Sequence, residues 1–92
     1  MNAQDFAIKV ASDVETPNKK LAIEIILAIV SVLIQECVLS YFRVKNPSFL
    51  DKIRLRWKVR SYTKEQGVAE ALLKHASTLT EEEFLDIKQS VT

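Results

Sequence analysis

One stretch constrains this chain more than any other: LAIEIILAIVSVLIQECVLSYF, Leu21 to Phe42, 22 residues without a lysine or an arginine. As a continuous helix it would be roughly 33 Å long, close to the hydrocarbon thickness of a bilayer. Lys19 and Lys20 precede it, and Arg43 and Lys45 follow it. A helix that is apolar on nearly every side must be covered on nearly every side. The remaining segments are short and offer three weak apolar faces, too little cover within one monomer. The expectation is therefore an all-α chain whose long apolar helix crosses a membrane. The balance is close. Large apolar side chains favour insertion by roughly 5 kcal/mol, and each of Glu24 and Glu36 opposes it by up to about 3 kcal/mol near the bilayer centre. A core helix of a soluble oligomer and an interfacial helix remain open alternatives.

Polar positions in the stretch are organised. Glu24, Ala28, Ser31 and Gln35 are spaced four, three and four apart, a narrow stripe on one helix face. In lipid such a stripe of small and polar residues is where one helix meets another, so it is the predicted oligomerisation surface. Glu24 and Glu36 do not share a helix face and cannot act as a pair within one chain. Snorkelling and a hydrogen bond to a neighbour explain them better than a functional intramembrane role.

Bulk charge predicts no partner, at 13 basic against 12 acidic side chains in 92 residues. Its distribution is more telling. Between Arg43 and Arg60 lie seven bases and one acid, Asp51, whereas Glu81 to Asp86 hold four acids and no base. A span would place this basic flank, and with it the C-terminal half, in the cytoplasm or a virion interior. Within the flank, KIRLRWKVR (52–60) alternates base and apolar residue. A strand would put Ile53, Leu55, Trp57 and Val59 on one face; a helix would cluster Phe49, Leu50, Ile53 and Trp57. Helix is favoured, because a lone strand here has nowhere to pair; an edge strand added to another protein is the alternative. Lys52, Arg54, Arg56, Trp57, Lys58 and Arg60 are the candidate contacts, to membrane lipid first and to nucleic acid less favourably. A solvated basic face is the bland reading.

The expected division is a short amphipathic N-terminal segment (1–18), a transmembrane helix (19–45), a basic juxtamembrane segment (46–62) and a helical hairpin tail (63–92). Phe6, Val10 and Val14 recur every four residues within a predicted helix from Ala3 to Val14. Residues 1–20 lack the pattern of a cleavable signal peptide. Thr63 with Gln66, and Thr80 with Glu83, fit capping boxes. Glu81 to Glu83 occupy a first turn, where the helix dipole favours negative charge. Leu72, Phe84, Ile87 and Val91 are the predicted docking residues of the tail.

No site for chemistry is legible. Cys37 is the single cysteine, His75 the single histidine and Gly67 the single glycine. Neither metal-ligand spacing nor a phosphate-binding loop nor a triad can be assembled from them. No enzyme activity, cofactor or metal is expected.

The tail GVAEALLKHASTLTEEEFLDIKQSV, Gly67 to Val91, resembles the short C-terminal domain (SHOCT) family. The matching residues are Leu72, Leu73, Leu79, Thr80, Glu82, Glu83, Phe84 and Lys88, with Ala76-Ser77-Thr78 where the family carries a glycine. The resemblance covers about a quarter of the chain and implies an oligomerising contact module. The expected function is that of a non-enzymatic single-span structural or assembly component, such as a virion membrane protein or an accessory subunit, binding its own copies and other proteins. The rivals are a holin-like pore-former and a soluble helical oligomer that binds nucleic acid through Lys52–Arg60.

Overall fold

A computed structural model describes residues 1–15, 17–36, 38–43, 48–64 and 67–91. Five α-helices follow one another: α1 (Ala3–Ser12), α2 (Lys19–Gln35), α3 (Phe49–Tyr62), α4 (Val68–Ser77) and α5 (Glu81–Val91). A 3-10 helix, Val38–Arg43, lies between α2 and α3. The described residues contain no strand.

The all-helical expectation holds, and the membrane span does not. None of the described helices is long and apolar enough to cross a membrane. The apolar stretch divides. Helix α2, which holds its first part and includes Lys19 and Lys20, has 17 residues, about 26 Å at 1.5 Å per residue, short of a hydrocarbon core of about 30 Å. Glu36 is its C-cap, with its backbone N–H donating to the Val32 carbonyl at 3.0 Å. Beyond it, Val38 and Leu39 turn inward in the 3-10 helix and are buried.

The helix also finds its cover within the chain, where the sequence reading held that it could not. α1 packs along α2 in the most extensive helix pair of the fold. Ala3, Phe6, Ala7, Val10 and Ala11 of α1 are buried in one apolar cluster with Ala22, Ile26, Ile29, Val30, Leu33 and Ile34 of α2. The alanines keep the α1 surface low, so that its backbone approaches α2 closely. The Cα radius of gyration is 12.0 Å, the value of about 12 Å expected for a compact chain of this length. A membrane location for a single-pass chain is corrected accordingly.

Caps set the helix ends. Asn2 accepts from the Asp5 N–H (2.8 Å) to start α1, and Asn18 from the Leu21 N–H (3.1 Å) to start α2. Lys19 closes the other end of α1, its ammonium donating to the carbonyls of Ala11 (2.8 Å) and Val14, where positive charge suits the helix dipole. The Thr80–Glu83 box forms: the Glu83 N–H donates to the Thr80 hydroxyl (3.2 Å), and the Glu83 carboxylate accepts from the Thr80 N–H (3.4 Å). For the other predicted box, Gln66 lies outside the described residues, as does Cys37.

α4 and α5 both lean on α1, and those contacts exceed any between the two. The tail is thus two helices joined by residues 78–80 that share α1 as a support. Polar links fasten it. The Met1 ammonium pairs with Asp86 (3.2 Å), and the Ala3 N–H donates to the Ser90 hydroxyl (2.8 Å). Asp13, the C-cap of α1, meets Lys74 Nζ (3.1 Å) and His75 Nε2 (2.7 Å) of α4.

Two outcomes follow from this packing. Phe6→Ala should cost about 3 to 5 kcal/mol in urea unfolding, whereas Gln35→Ala on the open side of α2 should stay within about 0.5 kcal/mol. The hydrogen bonds from His75 and Lys74 hold the Asp13 carboxyl below its ordinary value of 3.8. A depressed carboxyl stabilises the fold above its unfolded pKa and ceases to do so as pH falls through the folded one. Asp13→Asn should therefore lower the Tm at neutral pH, and thermal melts of variant and parent should converge on acidification below 3.8.

Candidate functional site

Helix α3 begins at Ser48, whose hydroxyl accepts from the Asp51 N–H at 3.2 Å and donates to the Asp51 carboxylate at 2.7 Å. It packs chiefly on α4. Its sequence alternates base and apolar residue, and a helix turns that alternation into an unusual cross-section. Two residues advance about 200° around an α-helix, so successive apolar residues fall on opposite sides. Leu55 and Val59 point inward and are fully buried. Trp57, together with Leu50, points the other way and is 75% exposed, with Leu50 at 64%. Half-buried Ile53 lies on the outward side with them, and Phe49, at 77%, borders it. The bases take the two flanks, Lys52, Arg56 and Arg60 on one and Arg54 and Lys58 on the other.

The six predicted contact residues thus share one helix, and all are exposed. Two are already engaged within the chain. Lys58 pairs with Glu36, and Arg60 with Glu70 at 3.5 Å. Among the described residues no carboxylate pairs with Lys52, Arg54 or Arg56. Glu36, which the sequence reading placed in lipid, instead clasps α3 to the end of α2. It takes the Lys58 ammonium and the Tyr62 hydroxyl (3.2 Å). The Lys58 bond lowers the Glu36 carboxyl below its ordinary 4.5, and the Glu36 bond raises Lys58 above 10.5.

The other predicted residues are placed differently. Glu24, Ala28 and Gln35 are exposed and Ser31 half-buried, with the Ser31 hydroxyl donating to its own helix at the Leu27 carbonyl (2.9 Å). The stripe is the open side of α2, opposite the face that α1 covers. In the tail, Leu72, Phe84 and Ile87 are buried and Val91 is half-buried. These four hold the tail to the body, and the surface of α5 is carried by other residues, Leu85 at 43% exposure among them. His75 is half-buried against Asp13. Among the described residues no group of three or more His, Cys, Asp or Glu side chains is placed to hold a metal ion.

Helical spacing already groups Phe49, Leu50, Ile53 and Trp57 on one face; that this face points outward while Leu55 and Val59 are buried is the finding of the structure. The signal was present: a two-residue alternation read at helical pitch yields two opposite apolar stripes. Comparison with known proteins adds no constraint, since no family model, no curated protein and no solved structure matches the chain.

The clasp predicts a local effect. Glu36→Gln should raise hydrogen exchange in α3 while leaving α1 and α2 protected. The wild-type clasp is fully charged above 4.5 and weakens as pH drops through the lowered Glu36 value. On the alkaline side it persists below 10.5 and weakens as pH rises through the raised Lys58 value.

Proposed function

We propose that this protein is a non-enzymatic structural or assembly component that works by docking through the outward ridge of α3. One observation carries the reading. Leu50, Ile53 and Trp57 form an apolar line on the side of α3 opposite its buried stripe, with bases along both edges. Large apolar side chains gathered in water mark contact surfaces, and tryptophan with arginine is the composition of interface hot spots.

The chemistry of the ridge specifies its partner: an apolar strip edged with carboxylates, as on an acidic amphipathic helix. Nucleic acid fits less well. Phosphates would satisfy Lys52, Arg54 and Arg56, and a base could stack on Trp57, but Leu50 and Ile53 would face polar backbone. The resemblance of Gly67–Val91 to an oligomerising family agrees with a contact role.

Trp57 supplies the readout. Titration with an acidic amphipathic helical peptide should shift its fluorescence to the blue, and Leu50→Ser with Ile53→Ser should abolish the shift. A basic peptide of the same pattern should have no effect. Tighter binding to double-stranded DNA or to anionic vesicles than to the acidic peptide would overturn this assignment.

A further inference from the structure

From the surface of α5 we infer that the partner of the α3 ridge is α5 of a second copy of this chain, so that copies join head to tail. The inference rests on the docking role proposed for α3. Away from its buried residues Phe84 and Ile87, α5 exposes Leu85, with Glu81 and Glu82 one turn before it, Lys88 one turn after it and Asp86 further round the helix. An exposed leucine with carboxylates one turn before it complements an apolar strip edged by arginines. The near-neutral chain has segregated its charge, with seven bases and one acid over Arg43–Arg60 and four acids without a base over Glu81–Asp86. Within one copy α3 sits on α4 and α5 sits on α1, so the two complementary faces are presented on different supports.

A contact between two different patches is heterologous, and its geometry closes a ring or propagates a filament. Opposite charges at the edges steer the encounter and make it sensitive to salt, while the apolar strip supplies short-range adhesion. Lys52, Arg54 and Arg56 are the bases of α3 left to meet the acids of α5, since of the α3 bases only Lys58 and Arg60 have carboxylate partners among the described residues. Asp86 is shared with the Met1 ammonium, leaving Glu82 as the principal acid.

The test is sedimentation velocity on the full chain and on two surface variants, Trp57→Ala and Leu85→Lys. The parent should grow beyond dimer with concentration at low salt and shrink at high salt. Each variant alone should be monomeric. Mixed, they should form a one-to-one dimer and nothing larger, because each retains one intact face. A parent that stays monomeric overturns the inference, as does a mixture that does not associate. So does assembly that needs Trp57 but survives Leu85→Lys, because it would be a symmetric contact of α3 with itself. The acidic peptide separates the levels. A monomeric parent whose Trp57 still shifts on peptide keeps the docking role and loses only the self-partner; no response to either loses both.

Discussion

Everything in this fold depends on α1 lying along α2. An apolar helix of 17 residues presents far more surface than water tolerates, and a ten-residue helix supplies most of its cover. It can do so because Phe6 and Val10 project into the cluster while Ala3, Ala7 and Ala11 allow close approach. α1 then serves a second purpose. It also contacts α4 and α5, so the first helix of the chain is the support shared by the last two. The ties Met1–Asp86, Ala3–Ser90 and Asp13 to Lys74 and His75 all run between α1 and the tail.

Those ties orient more than they stabilise. Exposed ion pairs contribute between nothing and about 1 kcal/mol each, whereas one buried large apolar side chain contributes about 1.5 to 3 kcal/mol. The core therefore decides that the chain folds, and the polar links decide how its helices are set. Glu36 shows the division. At the end of α2 its carboxylate ties α3 to the body through Lys58 and Tyr62.

Helix α3 is built on different terms from the rest. Two buried residues, Leu55 and Val59, anchor fourteen. Leu50, Trp57 and Phe49 remain largely in water, at a hydrophobic cost. Its sequence supplies two apolar stripes, one buried against the body and one left exposed. That is the physical basis for reading α3 as the working surface and the other four helices as the frame that presents it.

What the sequence by itself determined is local. Helix starts at Ala3, Ser48 and Thr80 follow from side-chain caps and from the spacing of apolar residues, and these depend only on near neighbours. With one glycine and two prolines in 92 residues, the chain also carries few of the residues that break helices. The tertiary structure alone decided whether Leu21–Phe42 stayed one rod and what covered it. Periodicity reports how many faces of a helix are apolar, but cover depends on how closely another segment approaches, and that was set by the small residues of α1. The alternating run 52–60 was legible as basic and aromatic. Which of its apolar residues face inward was not, because a period of two places them on opposite sides and only the packing of α4 chooses between those sides.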